Sequence, residues 1–169
     1  LVVNSGNANA CTGDRGLEDA ERMAALTAEC AELPAGTFLP VFTGIIGKRL
    51  PMKAVESGIR ECCRNLAPLE LDPLARTIMT TDTFPKTAFE QVELDGHVIT
   101  IGGAAKGSGM IAPNMATMLG FIFTDVCMPQ DMMKNMLRSV CNTTFNCVSV
   151  DGDTSTNDTV LMFSSGVSG

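Results

Sequence analysis

The chain has 169 residues, of which 45% are hydrophobic and 18% are charged, so it is long enough to bury the core of one domain. Its net charge of -7 at pH 7 argues against a nucleic-acid partner, because phosphate binding requires a positively charged face. No apolar run reaches the ~20 residues that span a bilayer, and no secretory signal pattern opens the chain. We therefore expect a soluble, cytoplasmic protein with no membrane partner.

Predicted strands and helices alternate along the chain. The first half contains the strand LVVN, a helix over residues 17–31, the strand FLPVFTGIIG and a helix over residues 51–66. The second half contains a hairpin of KTAFEQVEL and HVITIGG around Asp95-Gly96, the strand MLGFIFTDV, the helix PQDMMKNMLRSVCNTTF, and the strands FNCVSVDGD and DTVLMFSS. This alternation predicts a layered α/β domain over residues 1–169. Because both ends read as strands, we expect the domain to be an incomplete fragment.

Seven cysteines and one histidine limit the metal and redox chemistry of the chain. An odd number of cysteines without a C-x-x-C pair predicts reduced, mostly buried thiols instead of a disulfide framework. His97 lies in a strand-like run with no second ligand nearby, so no zinc site is expected.

A glycine motif raises a nucleotide-binding alternative. Gly107, Gly109 and Ala112 match the G-x-G-x-x-A dinucleotide fingerprint after a predicted strand, as in an oxidoreductase. The fingerprint must open a helix, however, and Pro113 with a new strand soon after leaves little room for one.

The acidic segment DGDTSTND suggests a calcium loop. Asp151, Asp153 and Ser155 have the alternating oxygen spacing, but Thr156 stands where the loop needs glycine and Met162 where it needs glutamate. A polar turn between strands is favoured, with oxygens that are candidates to line a site.

The Ala116-Thr117 step suggests a nucleophile that generates its own base. A threonine hydroxyl is weakly nucleophilic until a base activates it, and cleavage of the preceding peptide bond frees the α-amino group of the threonine. An α-amine has a reference pKa of about 7.7 to 8.0, so part of such an amine is neutral at physiological pH. A buried structural threonine is the alternative.

Five motifs resemble the ornithine acetyltransferase (glutamate N-acetyltransferase) family, in the same order and across nearly the whole chain. They are NSGNANACTG, TGIIG, IMTTDTFPK, KGSGMIAPNMATMLGF and VDGDTSTNDT. The resemblance implies a two-sheet α/β sandwich with outer helices, of the N-terminal-nucleophile aminopeptidase type. Family members extend further at both ends, and their later segments also bind substrate. Phe42 is a departure, since the family more often has serine there.

The resemblance also implies a site and a reaction. Members cleave themselves before the threonine of ATMLGF, which here gives an α-chain portion of residues 1–116 and a β chain that starts at Thr117. The implied roles are Thr117 as acetylated nucleophile, Thr43 and Gly44 as oxyanion donors, Thr83, Lys106 and Thr117 as substrate contacts, and Ala116-Thr117 as the cleavage site.

The implied reaction moves acetyl from N-acetylornithine to glutamate in arginine biosynthesis, without a metal or organic cofactor. Whether acetyl-CoA is also a donor stays open. The implied assembly is a heterotetramer of two α and two β chains. An N-terminal-nucleophile amidase or aminopeptidase of the same fold is the alternative, distinguished by whether water or glutamate accepts the acyl group.

Overall fold

The computed structural model describes residues 1–111 and 118–168. The chain forms two compact units, Leu1–Leu69 and Glu70–Gly169. In the described part of the chain, each unit combines a sheet with helices. The predicted α/β class with two sheets is therefore confirmed.

The first unit is built on two parallel strands connected through a helix. Strand β1 (Val2–Asn7) pairs with strand β2 (Pro40–Ile45). Helix α1 (Gly13–Cys30) lies in the connection between them and begins before the predicted start at residue 17. Helix α2 (Met52–Arg64) follows β2. Every element predicted for residues 1–66 is present.

The helices of the first unit pack through apolar side chains. Met23 and Leu26 of α1 are 1% and 0% exposed, and they cluster with Ile59 of α2. Their spacing of three residues puts Met23 and Leu26 on one face of the helix. Burial of each such side chain contributes about 1.5 to 3 kcal/mol, so this cluster stabilises the helix pair.

The second unit contains a four-stranded sheet with the order β3-β4-β5-β6. The antiparallel strands are β3 (Lys86–Leu94), β4 (His97–Lys106) and β5 (Leu119–Thr124), and β6 (Thr159–Ser164) pairs parallel to β5. Asp95 and Gly96 connect β3 to β4 with φ angles of 52° and 83°. Positive φ at both positions is what a two-residue type I′ turn requires, so the predicted hairpin is confirmed.

Helix α3 (Leu71–Ile78) was not predicted from the sequence. Ala75 and Ile78 are 0% and 1% exposed. Together with Leu71 they have the i, i+4, i+7 spacing of a buried helix face. The helix has only eight residues and contains Pro73 in its first turn, which weakens the periodic signal.

The strand predicted for FNCVSVDGD is wrong. Helix α4 (Gln130–Thr143) is present as predicted, but a 3₁₀ turn at Phe145–Cys147 and a loop follow it. Val148 and Val150 are exposed, and the N–H of Val150 donates to the Ile111 carbonyl at 2.8 Å. The alternating valines therefore belong to a loop whose backbone bonds an adjacent segment.

The cysteines are free, but the expectation that most are buried is wrong. Four of the seven are exposed, and these are Cys11, Cys62, Cys127 and Cys147.

Within residues 1–111 and 118–168, no helix is long and apolar enough to cross a membrane. The same residues contain no group of three or more His, Cys, Asp or Glu side chains that could hold a metal ion.

Candidate active site

Thr43 and Gly44, the predicted oxyanion donors, lie in β2 of the first unit. Thr43 is fully buried and pairs with Ser5 and Asn7 of β1 across a register shift. Gly44 has a φ of +130°, and a Cβ atom there would lie 2.2 Å from the carbonyl carbon of Gly6. The two backbones approach so closely at this point that no residue larger than glycine fits.

Asparagine side chains hold the loop between β1 and α1. The Nδ2 of Asn7 donates to the Arg49 carbonyl at 2.9 Å, and its Oδ1 accepts from the N–H of Asn9 at 2.9 Å. The Nδ2 of Asn9 donates to the Gly16 carbonyl at 2.8 Å. The asparagines of the NSGNANACTG motif therefore hold the segment between β1 and α1 to the backbone carbonyls of Arg49 and Gly16.

Lys106, a predicted substrate contact, is the last residue of β4 and is only 2% exposed. Its Nζ donates to the Thr80 hydroxyl at 2.9 Å. Burial lowers the pKa of Lys106, while the carboxylates of Asp82 and Asp158 act in the opposite direction. A buried ammonium needs such partners because its desolvation is costly.

Asp82 organises the backbone around this lysine. Its Oδ1 accepts from Lys86 Nζ at 2.7 Å and from the N–H of Gly107 at 2.7 Å, and its Oδ2 accepts from the N–H of Thr80 at 3.3 Å. Burial alone would raise the pKa of Asp82, but these three donors outweigh it and the net pKa is lowered. Asp82 thus connects TTDT, which is residues 80–83 within the motif IMTTDTFPK, to Gly107.

The predicted site residues are distributed over the two units. The second unit brings Lys106 together with Thr80 and Asp82, and Thr83 is exposed beside Asp82. Thr43 and Gly44 belong to the first unit, whereas Ala116 and Thr117 lie outside the described residues. Sequence reasoning named Thr83 and missed Thr80 and Asp82, although all three stand in one motif.

The loop 149–158 binds the backbone on both sides of residues 112–117. The Asp151 carboxylate accepts from the N–H of Met110 at 2.6 Å through Oδ2 and from the N–H of Ile111 at 2.8 Å through Oδ1. The Oδ1 of Asp158 accepts from the N–H of Met118 at 2.9 Å. The acidic motif predicted to be a polar turn therefore also binds the KGSGMIAPNMATMLGF segment, at residues on both sides of 112–117.

Asp158 has fewer hydrogen bonds to its carboxylate oxygens than Asp151 has. Among the residues that the structure describes, its Oδ2 is buried and accepts no hydrogen bond. Burial raises the pKa of Asp158 against the N–H of Met118, the Ser155 hydroxyl and the ammonium of Lys106, all of which favour the charged form. Raised carboxylate pKa values of this kind occur at functional sites.

The calcium and dinucleotide hypotheses gain no support from the described geometry. Both oxygens of Asp151 already accept backbone N–H groups, which leaves this carboxylate poorly placed to ligate an ion. Residues 107–111, which contain Gly107 and Gly109, are not helical, and Ala112 lies outside the described residues. A fingerprint glycine loop opens directly into a helix.

The ArgJ family model matches residues 1–169, the whole chain. The chain belongs to the ArgJ family. The resemblance to the ornithine acetyltransferase family is thereby confirmed.

Two relatives are similar to this chain over its entire length. The "Arginine biosynthesis bifunctional protein ArgJ" of Symbiobacterium thermophilum is 49% identical over 169 residues, which are 100% of this chain and 42% of the relative. The protein of the same name from Thermotoga neapolitana is 48% identical over 169 residues, again 100% of this chain and 42% of the relative. The chain thus spans less than half the length of the curated relatives that it matches.

Two crystal structures share the fold. ArgJ from Bacillus halodurans is 46% identical with a TM-score of 0.60, over 68% of this chain and 60% of that one. The ornithine acetyltransferase of Mycobacterium tuberculosis, complexed with ornithine, is 35% identical with a TM-score of 0.57, over 66% of this chain and 60% of that one. The α/β fold is therefore the fold of solved ArgJ proteins.

Proposed function

We propose that the full-length protein containing this chain transfers acetyl from N-acetylornithine to glutamate in arginine biosynthesis. The observation that carries the proposal is the match of the ArgJ family to all of residues 1–169. The name of the Symbiobacterium relative, which includes arginine biosynthesis, and the ornithine bound to the Mycobacterium structure support it. The buried Lys106 supplies a cation that suits a substrate carboxylate.

The first step in this proposal is self-cleavage between Ala116 and Thr117. The Thr117 hydroxyl oxygen attacks the carbonyl carbon of Ala116, the C–N bond breaks, and the hydroxyl proton ends on the Thr117 nitrogen. Water then hydrolyses the ester, which releases the carboxylate of Ala116 and restores the hydroxyl. The products are an α-chain portion of residues 1–116 and a β chain that begins at Thr117.

The second step is acetyl transfer through Thr117. Its α-amine accepts the hydroxyl proton while the oxygen attacks the acetyl carbonyl of N-acetylornithine, and the proton passes to the nitrogen of the leaving ornithine. The neutral amine of glutamate then attacks the acetyl ester, its C–O bond breaks, and the threonine hydroxyl is restored. No metal or organic cofactor takes part in this sequence.

In this proposal, the remaining site residues stabilise the negative charge that forms on the acetyl oxygen or bind the substrate. The hydroxyl of Thr43 and the backbone N–H of Gly44 donate to the oxyanion that forms at the acetyl carbonyl. Thr83 and Lys106 contact the substrate.

We also propose a cytoplasmic heterotetramer of two α and two β chains. We propose acetyl-CoA as a second donor; the names of the relatives say only that they are bifunctional in arginine biosynthesis.

The test is a transfer assay with the full-length protein. N-acetylornithine and glutamate should yield ornithine and N-acetylglutamate, detected by mass spectrometry. Thr43→Ala should lower turnover about a hundredfold to a thousandfold with little effect on KM, because one oxyanion donor is lost, while Thr43→Ser should retain more of the rate. Release of acetate without N-acetylglutamate would indicate an amidase and contradict the proposal.

A further inference from the structure

The carboxylates of Asp151 and Asp158 bind opposite flanks of one short stretch of backbone. Asp151 accepts from the N–H groups of Met110 and Ile111 at 2.6 and 2.8 Å, and Asp158 accepts from that of Met118 at 2.9 Å. Hydrogen bonds from backbone N–H to a carboxylate are about twice as strong as neutral ones. The two residues therefore fix both flanks to the same loop.

Backbone hydrogen bonds reinforce both attachments. The Ile111 carbonyl accepts from the N–H of Val150 at 2.8 Å and from that of Gly152 at 3.3 Å. The Met118 carbonyl accepts from the N–H of Thr159 at 3.0 Å. Each flank is thus held through its N–H and its C=O groups, although neither flank is part of a strand.

We propose that Asp158 is a positioning residue for self-cleavage between Ala116 and Thr117, with Asp151 holding the other flank. The N–H that Asp158 accepts belongs to the peptide group between Thr117 and Met118, so the carboxylate binds one bond from the residue that carries the nucleophile. Displacement of a reacting group by about 1 Å can cost a hundredfold in rate. This inference rests on the proposed function, since it concerns the same cleavage.

The environment of Asp158 fits a functional role better than a purely structural one. A residue kept only for stability is expected to have all its buried polar atoms satisfied. The Oδ2 of Asp158 is buried and, within the described part of the chain, accepts no hydrogen bond. A buried carboxylate oxygen without a partner costs stability, so this position is not optimised for the stability of the fold.

The experiment compares Asp158→Asn with Asp153→Asn in the full-length protein. Asparagine has the shape of aspartate but is a weaker, uncharged acceptor for the N–H of Met118. Asp153 is an exposed aspartate of the same loop, so its substitution makes the same change of charge. Cleavage is followed by denaturing electrophoresis during expression from an inducible promoter, and thermal stability is measured in parallel.

Asp158→Asn should slow cleavage at least tenfold while its Tm stays close to that of Asp153→Asn, and Asp158→Ala should slow cleavage further. Asp153→Asn should cleave at the rate of the unsubstituted protein. Cleavage of Asp158→Asn at that rate would overturn the inference, and so would a rate that falls only together with Tm. Thr117→Ala distinguishes failure of this inference from failure of the proposed function. A Thr117→Ala protein that is still cut would contradict the proposed function itself.

Discussion

At the scale of single residues, Gly44 is the position that the backbone constrains most clearly. Its φ of +130° is rare for residues with a side chain, and a Cβ atom would lie 2.4 Å from the Asn7 nitrogen as well as 2.2 Å from the Gly6 carbon. The contacting atoms belong to the backbone of β1, so they cannot move aside as a flexible side chain can. The strand pair and a predicted oxyanion donor depend on the same glycine.

Gly44→Ala should therefore destabilise the protein by about 2 kcal/mol or more, because strained φ values alone cost about 1 to 3 kcal/mol. Urea unfolding of the full-length protein measures the change in the free energy of unfolding. Gly58→Ala is the matched control, since a Cβ atom at this helical position meets nothing within 4 Å. The control should be neutral or stabilising by about 0.5 to 1 kcal/mol. Equal stability of both variants would contradict the close approach of β1 and β2.

The carboxylate of Asp82 should make stability depend on pH in acid. Its folded pKa lies below the unfolded value of about 3.9, so its contribution is present above that pH and is lost as pH falls through the folded pKa. Asp82→Asn should cost about 1 to 2 kcal/mol at pH 7 and less at pH 3.

Chemical denaturation at several pH values between 3 and 7 measures this difference. Asp72→Asn is the control, because the Asp72–Arg76 pair has side chains that are 58% and 64% exposed and surface pairs contribute about 0 to 1 kcal/mol. A cost of Asp82→Asn that does not change with pH would show that the charge is not what stabilises the motif.

Sequence reasoning located the site motifs better than the residues that act within them. The motifs IMTTDTFPK and DGDTSTND were both identified, but Asp82 and Asp158 were not assigned roles. Their partners are backbone N–H groups that are 25 and 40 residues away in the chain, at Gly107 and Met118. Side-chain spacing contains no information on such distant backbone groups, so the structure was needed.

At the scale of elements, the helix pair of the first unit depends on a small core. Ile59 of α2 is 6% exposed and packs with Met23 and Leu26 of α1. Ile59→Ala should destabilise the protein by about 2 to 4 kcal/mol, because it removes buried methyl groups and leaves a cavity. Leu17→Ala is the control on α1, where the side chain is 67% exposed and little change is expected. A similar Tm for both variants would contradict this packing.

The elements that the sequence predicted are those with strong local signals. The Asp95-Gly96 turn and the amphipathic α1 carry their own evidence in adjacent residues. The false strand at FNCVSVDGD had the alternation of a strand but pairs with no strand among the residues that the structure describes, and Val150 bonds Ile111 in a loop. Local periodicity cannot distinguish these cases, because pairing is decided by residues far away in the chain.

At the scale of the whole molecule, the family and fold are established while the activity is a proposal. The chain covers 42% of the length of the Symbiobacterium and Thermotoga relatives. It contains Thr43, Gly44, Thr83, Lys106 and Thr117, but the structure divides the four described ones between two units. A measurement on the full-length protein is therefore the direct test of the account.

That measurement is the intact mass of the purified full-length protein, with N-terminal sequencing of each chain found. The account predicts two chains, one ending at Ala116 and the other beginning at Thr117, without added protease. Thr117→Ala should give one uncut chain, whereas Thr117→Ser, which keeps a hydroxyl, should still cut to some degree. A single chain in the unsubstituted protein, or normal cleavage of Thr117→Ala, would contradict the account.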